Sequence, residues 1–251
     1  MIRKLSLQEW FLIYQLQKIE NNHAHLPFIL KVDTSALECH FKENVPYTTV
    51  LVKAASLWQE GSPITKKQVF NTIFGLRLYE NHTGNVNVPI LLDHEGTPYM
   101  SVMTIKNAKD KSLLEIQNEF SQYSKSNPKE LFIGSKMLGK KNNFFNRSRL
   151  KLVHFIVNNF PQIQEKYEVG TTSVSSLLKF SKPEVNLVTT AKGPGAFSLC
   201  VSSIDRVNNK LELGISWDHQ TGDGHEAAKA CYQLAEILQG QDSDLFKRLI
   251  T

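Results

Sequence analysis

The chain has 251 residues, 41% of them apolar, enough to bury a sizeable core. No run of 18 uninterrupted apolar residues occurs, which excludes an ordinary membrane helix, and Met1–Trp10 lacks the continuous apolar stretch of a secretory signal. The net charge of +5 suits an anionic small ligand or an acidic protein partner and does not argue for nucleic acid.

In chain order, Phe28, Leu30 and Val32 alternate with Ile29, Lys31 and Asp33 and predict a strand. Val50, Leu51, Ala54, Ala55 and Trp58 recur at helical spacing. Val86, Val88, Ile90 and Leu92 alternate again, although Pro89 points to an edge or a bulge. The segment Asp93-His94-Glu95-Gly96 reads as a turn into a second strand through Met100, Val102 and Ile105, a hairpin candidate. Leu113, Ile116, Phe120 and Tyr123 form a second helical stripe. Phe197–Ile204 is placed to pair with the strand through Leu211, Leu213, Ile215 and Trp217. A third helical stripe runs through Ala227, Ala228, Cys231, Leu234, Ala235 and Leu238. Helices and strands are mixed and some strands read as hairpins, so an α/β two-layer sandwich with a mixed β-sheet is expected. No repeat or linker divides the chain, and residues 1–251 read as one domain.

Lys129–Lys151 is locally basic, with Lys136, Lys140, Lys141, Arg147 and Arg149 against the single acid Glu130. Such a run is either a solvated helical face or a dock for phosphates or an acidic protein. Cys39, Cys200 and Cys231 show neither metal nor disulfide spacing, so a reducing cytoplasm is the expected compartment. Cys200 and Cys231 lie on apolar faces and read as small core residues. His23 and His25 read as a surface loop, His154 as a core or interface histidine, and His225 as part of a first helical turn.

The most informative stretch is Trp217-Asp218-His219-Gln220-Thr221-Gly222-Asp223-Gly224. A period-two strand ends at Trp217, a polar cluster follows, and a helix begins. A histidine at such a corner can face a cleft, and imidazole suits general-base work because its ordinary pKa lies near neutrality. Gly222 and Gly224 are expected to permit a tight corner. Asp223 either caps the helix or pairs with a buried cation.

Ile215–Leu238, ISWDHQTGDGHEAAKACYQLAEIL, resembles the C-terminal signature of the chloramphenicol acetyltransferase-like superfamily, which includes the catalytic domains of dihydrolipoyl acyltransferases. Upstream, LPFILKVDTSAL, TTVLVKAASLW, VNVPILLDHEGTPYMSVMTIKNAKDKSLLEI and GTTSVSSLL resemble that family's core segments in the family's order. The resemblance implies that His219 is the general base, that Asp223 is the largely structural acid of the motif, and that Ser175 hydrogen-bonds the tetrahedral oxyanion. Ser176 is the alternative one residue on, and Thr189 and Thr190 stand where a second polar group sometimes lies. The family pairs its motif aspartate with an N-terminal arginine, for which Arg3 is the candidate.

The same resemblance implies a homotrimer with active sites at subunit interfaces, His219 and Ser175 coming from neighbouring chains. No lipoyl or partner-binding domain is expected within residues 1–251. The expected activity is transfer of an acyl group, acetyl in the first instance, from CoA as co-substrate to a hydroxyl, amine or thiol of a small-molecule acceptor. Lys140, Lys141, Arg147 and Arg149 are the candidates for CoA phosphates. The alternatives are a phosphopantetheine arm on an acyl carrier protein in natural-product biosynthesis, and a catalytically silent trimeric scaffold.

Overall fold

The computed structural model describes residues 5–42, 44–94, 97–126, 141–166, 169–180, 188–193, 195–205 and 208–251. In chain order these form α1 (Leu7–Asn22), β1 (His25–Asp33), α2 (Ser35–Phe41), α3 (Tyr47–Gly61), β2 (Lys67–Thr72), β3 (Gly75–Glu80), β4 (Val86–His94) and β5 (Thr97–Ile105). They continue as α4 (Leu113–Lys125), α5 (Phe144–Asn159), α6 (Pro161–Lys166), β6 (Thr172–Ser176), β7 (Phe197–Asp205), β8 (Lys210–Asp218), α7 (Gly224–Gln239) and α8 (Ser243–Ile250). Helix starts follow local chemistry: Ser6 with Glu9, and Ser112 with Glu115, close reciprocal capping boxes on α1 and α4. Among the described residues no helix is long and apolar enough to cross a membrane.

Six strands form one sheet in the order β1-β8-β7-β6-β4-β5, and β2 pairs with β3 as a separate hairpin. The β7–β6 and β6–β4 pairs are parallel and the other pairs antiparallel, so the sheet is mixed, as expected. The β4–β5 hairpin forms, and its pairing reaches His94 and Thr97, further into the turn than the sequence suggested. Pro89 sits where β4 has β5 on one side through Val102, while pairing to β6 ends at Asn87. The strand β4 lies between β6 and β5 and its register with β5 runs unbroken, so Pro89 is neither in an edge strand nor at a bulge, which corrects that expectation; it stands where pairing to β6 has already ended. The paired strands β7 and β8 carry a bulge between Val201 and Ser203.

One face of the sheet is apolar: Phe28, Leu30, Val32, Val174, Phe197, Leu199, Val201, Leu211, Leu213, Ile215 and Trp217 share a core with α3 and α7. Trp58 of α3 ties these layers together. Its ring meets Phe197 edge-on at 4.8 Å, and its Nε1 donates to the Ala230 carbonyl of α7 at 2.7 Å.

The opposite face carries small and polar residues. Strand register aligns Pro27, Ser216, Ser198, Ser173, Asn87 and Thr104 in one row, and Ile29, Gly214, Cys200 and Ser175 in the next. The described stretch 188–193 crosses this face at backbone contact. A Cβ on Gly214 would lie 1.8 Å from the Thr189 carbonyl oxygen, and one on Gly193 would lie 2.6 Å from Ser198 Oγ. Small side chains here are a consequence of that close approach.

Trp58→Ala is expected to destabilise the protein by about 3–5 kcal/mol, the cost of a large aromatic cavity. Chemical denaturation monitored by circular dichroism measures it. A loss below about 1 kcal/mol would mean that α3 and α7 are held to the sheet by other contacts.

Candidate active site

The strand β8 ends at Asp218, and His219–Thr221 make a single 3-10 turn before α7. The corner is braced from inside. Trp217 Nε1 donates to Thr221 Oγ1 at 3.0 Å, and that hydroxyl donates to the Asp218 carbonyl at 2.7 Å. Gly222 has an extended backbone, φ 176°, so its lack of a side chain answers to space: a Cβ would meet Ile64 and Glu226 at 2.6 Å. Gly224 has nothing within 4 Å of its Cβ position and leaves the left-handed region unused, which corrects the expectation that both glycines serve a special backbone shape.

His219 is exposed at this corner. Its backbone N–H donates to the Ala24 carbonyl at 2.9 Å, its ring lies 4.8 Å from that of Trp217, and its Nδ1 is 3.2 Å from the Gly222 carbonyl oxygen. A carbonyl can only accept, so in the neutral ring Nδ1 carries the hydrogen and Nε2 keeps its lone pair. Asp223 caps α7, its Oδ1 accepting from the Glu226 amide at 2.8 Å. It makes no ion pair among the described residues, and Arg3 lies outside them.

Ser175 lies on the polar face of β6, in the row with Cys200 and Gly214. Ser176 points to the helix side, where its Oγ accepts from Thr48 Oγ1 at 2.9 Å. A cavity of about 280 Å³ opens beside that bond, lined by Val45, Pro46, Tyr47, Thr48, Thr49, Leu178 and Ile204. Thr189 and Thr190 lie over Gly214, near the Ser175 row. His219 and Ser175 do not meet within one chain. Asp218 is four strand residues beyond the Gly214 row, about 13 Å, and β6 is two strand spacings away, about 10 Å, so the separation is roughly 15 Å or more.

The basic segment divides. Lys136 and Lys140 lie outside the described residues, while Lys141 and Arg149 are exposed. Arg147 is engaged: its guanidinium stands 5.2 Å over the Trp10 ring and its Nε donates to Asn142 Oδ1 at 2.6 Å. With Lys151 over Trp10 and Tyr14, it fastens α5 to α1. His154 is half-buried at that same interface, edge-on to Tyr14 at 5.3 Å. His225 falls in the first turn of α7. Cys200 and Cys231 are buried, and burial raises both thiol pKa values, that of Cys231 to about 11.

His23 and His25 are not a surface loop. His23 is only 9% exposed, and its Nδ1 bonds Asp218 Oδ2 at 2.7 Å. His25 opens β1 with its Nδ1 3.1 Å from Ser216 Oγ. The reason is topological: β1 pairs with β8 in a register that sets His25 opposite Asp218. The carboxylate of Asp218, 1% exposed, also accepts from the amides of Ala24 at 3.1 Å and Gln220 at 3.2 Å. Burial pushes this carboxyl up, but the hydrogen bonds from His23, Gln220 and Ala24 outweigh it and hold its pKa below the ordinary value. Nothing in the sequence signals that these residues meet; the one available hint was the position of Asp218 directly before His219.

Acid should weaken the fold in two steps. Burial holds His25 and His154 below the ordinary histidine value of 6.5, so the unfolded chain takes up protons first and stability falls as pH drops below 6.5 toward the folded values. Asp218 is held below 3.8, so a further loss begins as pH falls through 3.8. Thermal midpoints measured from pH 8 to pH 3 should show both steps, the first reduced in His25→Gln. A flat midpoint between pH 7 and pH 5 would contradict the first.

No protein-family model matches the sequence, and no curated protein does. Solved structures match the fold. A dihydrolipoamide acetyltransferase of Azotobacter vinelandii, studied for the roles of a serine, a histidine and an asparagine in its catalytic mechanism, aligns with TM-score 0.66 and 17% identity over 98% of this chain and 94% of that one. The cubic core of a pyruvate dehydrogenase multienzyme complex aligns at 0.64 and 16% identity, covering 98% and 94%. A truncated catalytic core of the 2-oxoacid dehydrogenase multienzyme complex from Thermoplasma acidophilum aligns at 0.63 and 16% identity, covering 96% and 99%. The chain therefore has the chloramphenicol acetyltransferase-like fold of the dihydrolipoamide acetyltransferase catalytic domains.

Proposed function

We propose that the protein is an acyltransferase in which His219 is the general base, moving an acyl group, acetyl in the first instance, from CoA to a hydroxyl, amine or thiol of a small-molecule acceptor. The observation that carries this is the Nδ1 contact of His219, an exposed residue, with the Gly222 carbonyl, which leaves Nε2 able to take a proton. The histidine and asparagine studied in the Azotobacter vinelandii structure are four positions apart, as His219 and Asp223 are here.

In this reading His219 Nε2 removes the proton as the acceptor atom attacks the thioester carbonyl. The carbonyl oxygen gains negative charge, and a hydroxyl donor, Ser175, lowers the barrier by stabilising it. The intermediate then expels the CoA thiolate, which takes the proton back from the imidazolium. The products are the acylated acceptor and free CoA thiol. Attack is direct, with no covalent enzyme intermediate.

One chain cannot bring His219 to Ser175 across roughly 15 Å. The reading therefore includes an oligomer, a homotrimer by family resemblance, in which each site takes His219 from one copy and Ser175 from its neighbour. Lys140, Lys141 and Arg149 are the proposed contacts to CoA phosphates, whereas Arg147 serves the α1–α5 contact.

A second donor has one observation in its favour. The helix α5 contains no acidic residue and exposes Phe144 and Phe145 by 77% and 79%, a surface suited to an acidic acyl carrier protein. Saturation by an acylated phosphopantetheine carrier at lower concentration than by acyl-CoA would favour it.

His219→Ala is expected to lower acetyl-CoA turnover about 10²–10⁴-fold, and Ser175→Ala about 10²–10³-fold. Chains carrying one defect each, unfolded together and refolded, should regain about a quarter of the sites, because a quarter of neighbouring pairs unite an intact His219 with an intact Ser175. Turnover of His219→Ala within about threefold of the parent would end the general-base role. Absence of recovery in the mixture would end the shared site.

Neutralising Lys140, Lys141 and Arg149 together should raise KM for acyl-CoA more than it lowers kcat, since phosphates remote from the carbonyl bind ground state and transition state alike. An unchanged KM at low salt would return these charges to the solvated surface.

A further inference from the structure

We propose that His23 is a positioning residue for His219: it holds the Asp218 carboxylate at the end of β8, and through it fixes the corner from which the catalytic imidazole projects. The inference rests on the general-base reading of His219. Two bonds join the strand ends in both directions. The Ala24 N–H donates to Asp218 Oδ1 at 3.1 Å, and the Ala24 carbonyl accepts from the His219 N–H at 2.9 Å. Asp218 Oδ1 also accepts from the Gln220 N–H at 3.2 Å, just beyond His219. The base is thus bracketed by amides that one carboxylate organises.

The other oxygen, Oδ2, has His23 as its partner among the described residues, at 2.7 Å. The Asp218 side chain is 1% exposed and that of His23 is 9% exposed, so water does not substitute for the imidazole in place. Without His23, a buried carboxylate oxygen is left without a donor. The side chain must then turn toward solvent, releasing the Ala24 and Gln220 amides and with them the backbone on both sides of His219. Among the described residues the ring of His219 has one hydrogen-bond contact, to Gly222, and one tilted ring contact, to Trp217.

A base displaced by about 1 Å loses on the order of 10²-fold in rate, while binding of a remote CoA moiety is untouched. In acetyl-CoA assays of the whole protein, His23→Ala is therefore expected to lower kcat about 10- to 100-fold and to change KM for acetyl-CoA by less than about twofold. His23→Asn, whose side-chain amide stands close to the place of Nδ1, should recover most of kcat. His23→Gln fills the space but carries its amide too far along, and should lose kcat as the alanine variant does; it keeps the comparison open should the alanine variant fold poorly. The reactivity of the His219 ring toward diethyl pyrocarbonate, read by peptide mass mapping, gives a measure that needs no turnover. It should change severalfold in His23→Gln and return toward the parent value in His23→Asn.

The proposal is overturned if kcat of His23→Gln stays within about threefold of the parent, or if the Asn and Gln variants react with the reagent alike. If His219→Ala is itself fully active, the general-base reading fails instead, and the ring-reactivity comparison still decides whether His23 controls the corner.

Discussion

Everything in this molecule depends on burying one apolar face of the six-stranded sheet beneath α3 and α7. That burial is the main favourable term in folding and sets where every other group must go. Helix side chains and strand side chains interdigitate from Val32 to Leu238, with Trp58 bridging the layers. A chain that commits one sheet face to this contact leaves the other to be solved differently. Here the second face is crossed by backbone at contact distance, and only glycine, serine, cysteine and similarly small residues fit under it.

The two candidate catalytic groups follow from those two faces. Ser175 belongs to the crowded polar face because its neighbours Val174 and Ser176 alternate toward the helices. His219 escapes both faces, because β8 has already ended when the chain reaches it. A strand end is a good place for a base: the strand supplies a rigid backbone, while the side chain leaves the packed layers. The weakness of such a place is that the ladder of β8 no longer controls the chain direction. Asp218 answers that weakness by gathering His23, Ala24 and Gln220 around one buried carboxylate.

The contact between α1 and α5 has a different character. It is made by Trp10, Tyr14 and His154 stacked with Arg147 and Lys151, outside the main core. Charge that looks free for a ligand in the sequence is here partly spent on aromatic faces, which is why a basic run alone is a poor guide to a phosphate site. The helix opposite side remains apolar and exposed at Phe144, Phe145, Leu152 and Phe155.

The sequence by itself determined β1, β4, β5, β8, α3, α4 and α7, whose apolar residues recur at the period of their geometry, and β7 from the run Phe197–Ile204. It also placed His219 at a strand-to-helix corner, a local matter of where a ladder stops. It did not disclose the β2–β3 hairpin, because the alternation of Leu76, Arg77 and Leu78 is short, and the structure leaves those leucines exposed rather than in the core. Nor did it disclose the strand β6, since Thr172, Ser173, Ser175 and Ser176 leave Val174 as the one apolar side chain in it. Only the tertiary structure decided that Asp218 meets His23, a pair 195 residues apart in sequence, and gave the distance that keeps Ser175 from His219 within one chain, a separation the resemblance had implied without a measure. Both depend on which strands lie side by side and in what register, and sheet order is set by long-range packing that no local spacing records.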